Sequence, residues 1–168
     1  NKYGVRAVNE HRNYNDRTEI HGIYAPSKAE HPNQLLFMIY DRRTAEAFAG
    51  AYPLPEEPSG VPHVLEGASL EELASQIQSR LAEIAPHTGG LSLAPAFIDN
   101  LKTTLGRFNR FARAGEDEDF RRGAAGYDNE WHAVFSPMRA DSSWSVNDNP
   151  SVTMYPLSDS GPYYAIIL

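Results

Sequence analysis

The 168-residue sequence contains no cysteine. Disulfide bonds, thiolate zinc sites, iron–sulfur ligation and cysteine nucleophiles are therefore excluded, and a reducing, cytoplasmic setting is the expectation. Long apolar runs are also missing. No stretch approaches the ~20 residues of a membrane span, and no signal-peptide pattern is seen. Basic residues are in deficit, with 15 Lys and Arg against 22 Asp and Glu and a net charge of −7. That balance argues against a nucleic-acid partner, whose phosphates need Lys and Arg. The sequence has no G-x-G-x-x-G dinucleotide fingerprint, and Gly89-Gly90 lacks the G-K-[ST] of a phosphate-binding loop. A G-x-S-x-G nucleophile elbow is absent too. The six histidines, His11, His21, His31, His63, His87 and His132, are scattered without H-E-x-x-H or an i, i+4 pair, so no metal site is expected. His132, beside Trp131, reads first as a structural histidine.

What is present has ordinary globular proportions, 41% hydrophobic and 22% charged. The length implies one domain that buries roughly 70% of its unfolded surface. Glu19–Tyr24 alternates as a strand does, and the unbroken apolar run Leu35–Tyr40 reads as a buried central strand. Asp41 is placed to cap a short helix running through Ala49 and stopped by Gly50. Pro53, Pro55, Pro58, Gly60 and Pro62 mark an irregular connection, and His63–Gly67 a short strand. Ser69 with Glu72 forms a capping box that opens a helix to Ile84. The stripe of that helix is Leu70, Leu73, Ile77, Leu81 and Ile84. A second helix starts near Pro95, carries Phe97, Leu101, Leu105, Phe108 and Phe111 on one face, and stops at Gly115. The acidic run Glu116–Asp119 reads as a solvated connector. Tyr127, Trp131 and Phe135 suggest a short helix, 141–150 polar turn, and Val152–Leu157 and Tyr163–Leu168 two strands. Strands, then helices, then strands imply an α+β domain: a small mixed or antiparallel sheet with several packed helices.

The chemistry-bearing stretch is Gly4–Arg17, G-V-R-A-V-N-E-H-R-N-Y-N-D-R. Val5 and Val8 flank a short extended run around Arg6, and Asn9-Glu10 opens a polar loop of the kind that carries functional groups. By composition alone it is a solvated, mixed-charge turn. Its pattern, however, resembles the opening of the substrate-side, or capping, domain of the fumarate reductase/succinate dehydrogenase flavoprotein superfamily, in its 3-ketosteroid dehydrogenase-like branch. The matching positions are Gly4, Arg6, Asn9 and Glu10, with Tyr14 four past the Glu; Asn15 stands between Tyr14 and the acid Asp16. Thr103–Gly123 is similar to the superfamily helix ending in R-[FY]-N followed by G-x-D-x-D-F. Gly161–Ala165, G-P-Y-Y-A, is similar to the strand that returns the chain to the FAD domain.

The resemblance implies that residues 1–168 are a single capping domain excised from a longer FAD-binding protein. The implied FAD is bound mainly by the flanking domain, which would be the cap's partner. The implied activity is oxidation or reduction of a C–C bond next to a carbonyl. In the superfamily the place of Tyr14 holds either a proton-donating Arg or a proton-accepting Tyr, which makes Tyr14 the candidate catalytic residue. A free Tyr has a pKa near ~10 and needs nearby positive charge to act as a base; Arg12 and Arg17 are the near candidates. Arg6, Asn9 and Glu10 are expected to support the loop. Tyr163 and Tyr164 are expected either near the flavin or simply in strand core. Tyr lacks the charge with which Arg clamps a dicarboxylate, so a small-molecule ketone, steroid-like or otherwise, is favoured over fumarate or succinate.

Other readings stay open. Tyr14 could be an exposed loop residue of an inactive cap, and the chain could be a non-enzymatic small-molecule or protein interaction module. The cap reading expects an exposed apolar face and chain ends that lie close together.

Overall fold

The structure, a computed structural model, describes residues 1–134 and 147–168. Phe135, the last aromatic of the expected short-helix stripe, and the 141–146 part of the expected polar turn lie outside the described residues. In chain order the elements are α1 (Tyr14–Thr18), a 3-10 turn (Glu19–Gly22), β1 (Phe37–Asp41), α2 (Arg42–Ala47), β2 (Val64–Gly67), α3 (Leu70–Glu83), the single turn α4 (Ala85–Thr88), α5 (Phe97–Ala114), α6 (Gly126–Val134) and β3 (Tyr163–Ile167). The fold is α+β.

The sheet is antiparallel with order β1-β3-β2. Ile39 pairs with Ala165, and Leu65 pairs with Ala165 from the other side. Successive side chains point to opposite faces, and the core divides accordingly. One face of β2 and β3 buries Leu65, Tyr163 and Ala165 with Leu73, Ile77 and Leu81 of α3 and Phe97 and Leu101 of α5. The other face carries Tyr40, Val64, Tyr164 and Ile166 against Ala45. A third cluster sits beyond the sheet, where Phe108, Phe111 and Ala112 of α5 pack on Met154.

The caps follow the sequence. Asp41 accepts the Thr44 amide at the start of α2. Ser69 accepts the Glu72 amide, and Glu72 reaches back to the Ala68 amide. Gly115 ends α5 in the left-handed region.

Three sequence expectations are corrected. Leu35–Tyr40 gives an edge strand, and the central strand is β3. The apolar run is unbroken because both of its faces are covered, Phe37 and Ile39 on one side and Met38 and Tyr40 on the other; two-sided cover does not fix position within a sheet. Glu19–Tyr24 is not a strand but a 3-10 turn and its exit, continuing from α1, which Asn13 caps. Its alternation buries nothing: Ile23 and Tyr24 are exposed. Val152–Leu157 is not a strand either. Side chains take its backbone groups instead. Asn147 donates to the carbonyls of Ser151, Val152 and Met154, and Asn109 both donates to the Leu157 carbonyl and accepts its amide.

Both chain ends are tied to one loop. Asn1 Nδ2 donates to Asn33 Oδ1 at 2.8 Å, and Leu168 exchanges backbone bonds with Leu36. The link between those anchors spans at most about 11 Å when extended. No helix among the described residues is long and apolar enough to cross a membrane.

Leu73 is fully buried where α3 meets the sheet. Leu73→Ala is expected to cost about 2–5 kcal/mol and Ser69→Ala about 1 kcal/mol, both read from urea midpoints at unchanged slope.

Candidate functional site

The first residues of the chain lie along α5. Gly4 has φ +76°, and a Cβ there would stand 2.2 Å from the Phe97 carbonyl oxygen. Only glycine meets both demands without strain. Asn100 donates to the Tyr3 carbonyl and Thr104 to the Gly4 carbonyl, each at 2.9 Å. Helix α5 thus fixes the backbone two residues before Arg6.

Arg6 holds two carboxylates at once. Its Nε and Nη2 donate to Glu10 at 2.9 Å. Nη1 and Nη2 donate to the two oxygens of Asp117, also at 2.9 Å. The guanidinium lies 5.2 Å from the Phe108 ring centroid and 4.9 Å from that of Phe120. The planar fork of Arg suits two bidentate carboxylates in a way that Lys cannot match. Asp117 is buried and also accepts the amides of Asp119 and Arg122. The expectation of a solvated 116–119 run is therefore corrected at Asp117: its neighbours are exposed or half-buried, but its own side chain turns inward to Arg6.

The clamp continues through Arg122. Its Nη1 donates to Glu10 Oε2 at 3.2 Å, and its Nη2 donates to the Thr153 carbonyl. Asn9, buried next to Glu10, donates to Asp128 Oδ2 and accepts the His11 amide, each at 2.9 Å. Arg17 Nη1 donates to the Glu10 carbonyl at 2.8 Å. The His11 and His132 rings face each other at 5.7 Å between centroids. Among the described residues no group of three or more His, Asp or Glu is arranged to hold a metal ion.

Of the residues singled out from the sequence, Arg6, Asn9 and Glu10 meet in this network. Tyr14 is the first residue of α1, one past the Asn13 cap, and is 62% exposed. Arg12 is exposed, while Arg17 turns back onto the loop. Tyr163 and Tyr164 belong to β3. Tyr163 donates its hydroxyl to the Ser158 carbonyl at 2.9 Å, and Tyr164 stacks on Tyr40 at 5.4 Å. Burial raises the pKa of both phenols, as it does that of Tyr40, pushed up to about 12. Asp117, Arg122, Asp128 and His11 were not singled out. The signal for Asp117 was its place between Gly115 and Phe120 in the second motif. Asp128 had none, because a lone Asp on a short helix reads as solvated.

The network makes stability depend on pH in two stages. Burial, then the charge of Arg122 and the neighbouring His132, hold His11 at about 4, against ~6.5 when unfolded. The unfolded chain binds more protons in that window, so this contribution is full above the unfolded value and lost as pH falls toward 4. For Asp117, burial acts upward, but the hydrogen bonds and charge of Arg6 outweigh it and hold its pKa below the ordinary value. Its contribution is present above ~3.9 and lost as pH falls through the folded value. Melting temperature is therefore expected to fall first between pH 6.5 and 4 and again below 4. Burial lowers the pKa of His132 as well, so His11→Gln should shrink the first stage without abolishing it and leave the second, as differential scanning fluorimetry across pH would show.

No family model matches the chain. It is 31% identical over 99% of its length to 4-oxocyclohexanecarboxylate 2-dehydrogenase of Sinomonas cyclohexanicum, covering 24% of that protein. It is 34% identical over 76% of its length to 3-oxosteroid 1-dehydrogenase of Mycolicibacterium smegmatis, covering 21% of that protein. Among solved structures, 3-ketosteroid delta1-dehydrogenase from Sterolibacterium denitrificans, in complex with 1,4-androstadiene-3,17-dione, superposes with a TM-score of 0.62 at 18% identity, over 99% of this chain and 25% of that one. The chain thus spans about a quarter of the length of the relatives it matches. Both named relatives and the solved structure are ketone dehydrogenases, in line with the resemblance read from the sequence: the chain is homologous to a segment of oxocyclohexanecarboxylate and 3-ketosteroid dehydrogenases.

Proposed function

We propose that the chain is the substrate-side cap of an FAD-dependent dehydrogenase that desaturates a cyclic ketone next to its carbonyl, and that Tyr14 moves the substrate proton. The observation that carries the reading is the position of Tyr14. It is solvent-exposed, at the first position of α1, directly after a loop that Asn9, Glu10 and Arg17 hold in place. A proton-transfer group needs that combination of access and fixed position. Both chain ends being tied to the loop around Asn33–Leu36 suits a unit inserted in a longer chain. Exposed Tyr14, Ile23 and Tyr24, all from one stretch, supply apolar area for a docking face.

Gly67, the glycine leading into α3, has no open space above it, since a Cβ there would stand 2.4 Å from the Leu73 amide nitrogen. A pyrophosphate cradle needs open backbone at that kind of junction. In this reading FAD is held by the flanking domain and supplies the redox chemistry. The cap's residues position Tyr14, cover the substrate and exclude water. The cyclic ketone is preferred because a relative matched over nearly the whole chain is named as a dehydrogenase of a ring ketone. The lack of cysteine and the absence of a membrane-spanning helix among the described residues suit a cytoplasmic enzyme.

The FAD-loaded protein carrying this chain is to be assayed with 4-oxocyclohexanecarboxylate, a 3-oxosteroid and fumarate. Turnover of a ring ketone, with Tyr14→Phe lowering kcat by about 100-fold or more, is the expected result. Fumarate reduction alone, or full turnover by Tyr14→Phe, would overturn the reading. The 168-residue chain by itself should not quench flavin fluorescence; stoichiometric quenching would mean that it carries its own cofactor site.

A further inference from the structure

Asp128 is the feature that the superfamily motifs leave unexplained. It is the third residue of α6, far from Asn9 in sequence, and wholly buried. Its Oδ2 accepts two hydrogen bonds at 2.9 Å, one from Asn9 Nδ2 and one from the Gly123 amide. Its Oδ1 is buried with no hydrogen-bond partner among the described residues. Burying a carboxylate with part of its accepting capacity unused is costly. A side chain kept under that cost is expected to hold something in place, and what it holds is Asn9.

Both ends of the Asn9 side-chain amide are engaged. Its amide nitrogen goes to Asp128 and its oxygen to the His11 amide. That second bond closes the backbone turn that leads through His11 and Arg12 to Asn13, the cap of α1, and so to Tyr14. The Arg6 clamp holds Glu10 by its side chain. The Asp128–Asn9 bond instead sets the direction in which the backbone leaves Glu10. The two anchors come from different elements, residue 117 after α5 and residue 128 on α6.

We infer that Asp128 is a positioning residue, acting through Asn9 to aim the loop that presents Tyr14. The inference rests on the proton-transfer reading of Tyr14. A misplacement of about 1 Å at a reacting group can cost about 100-fold in rate, and a loop released at Asn9 has that freedom.

The test uses the FAD-loaded protein and its ketone substrate. Asp128→Ala is expected to lower kcat about 100-fold with KM within about threefold. Asp128→Asn keeps an oxygen that can accept from both Asn9 and Gly123, and should restore kcat to within about threefold. Asn9→Ala should match Asp128→Ala, and the double variant should be no slower than either single one. Hydrogen exchange followed by mass spectrometry gives a readout independent of turnover. Amides 9–17 should exchange faster in Asp128→Ala and Asn9→Ala, and at the wild-type rate in Asp128→Asn. A lowered melting temperature with unchanged kcat and unchanged exchange in 9–17 would overturn the inference, leaving Asp128 a fold residue only. Loss of activity in Asp128→Asn equal to that in Asp128→Ala would overturn it as well. Should Tyr14→Phe prove fully active, the reading of Tyr14 falls, and the exchange data alone then decide whether Asp128 anchors the loop.

Discussion

The Arg6 guanidinium is the point on which the rest of the site depends. It is one-tenth exposed, bridges two carboxylates and lies between two phenylalanine rings. Each partner belongs to a different part of the chain: Glu10 to the loop, Asp117 to the turn after α5, Phe108 to the helix itself. Arg122 adds a second positive charge at Glu10, on the same oxygen, Oε2, that Arg6 holds. Two guanidinium groups thus meet two carboxylates, and the nearly buried Arg6 and buried Asp117 are matched to each other. Such an arrangement is poor evidence of added stability, since desolvation offsets much of the attraction. Its value lies in geometry. A fork that accepts only planar, bidentate partners fixes where the loop base sits against α5.

The fold serves that contact. Helix α5 is the longest of the described elements, and its contacts with the site run along its length. Its first turns receive the N-terminal segment at Gly4, its middle carries Phe108 under Arg6, and its end delivers Asp117 through Gly115. The sheet and α3 form a separate, apolar support for the other side of α5, with Leu73, Ile77 and Leu81 against Phe97 and Leu101. The loop after Arg6 is therefore attached to a rigid helix rather than to the sheet. Tyr163 and Tyr164, at the centre of that sheet, serve packing: one stacks on Tyr40 and the other ties down the Ser158 turn.

Periodic elements were legible in the sequence. Helices α3 and α5, the Asp41 and Ser69 caps, the Gly115 stop and strands β2 and β3 could all be read from spacing and residue type. Two of the strand errors share one physical cause. Glu19–Tyr24 and Val152–Leu157 have strand-like patterns, but a strand exists only where a partner strand pairs with it. At 152–157 the partners are side chains, Asn109, Asn147 and Arg122, which a pattern cannot announce. Asp117 and Asp128 failed for a related reason. A short acidic side chain is read as solvated unless its counterpart is known, and the counterparts Arg6 and Asn9 lie more than a hundred residues away. The motifs name residues that meet in one network; the ion pairs and buried amide contacts that build it are long-range.

The direct test of this account is a double-mutant cycle on Arg6 and Asp117, using Arg6→Met, Asp117→Asn and the pair, with unfolding free energies from urea titration. If the pair is the clamp that joins the loop to α5, the single changes should each be severe, and their effects should overlap by at least about 2 kcal/mol in the double variant. Additivity to within about 0.5 kcal/mol would mean that the two residues act independently, and the clamp could not be what holds the loop.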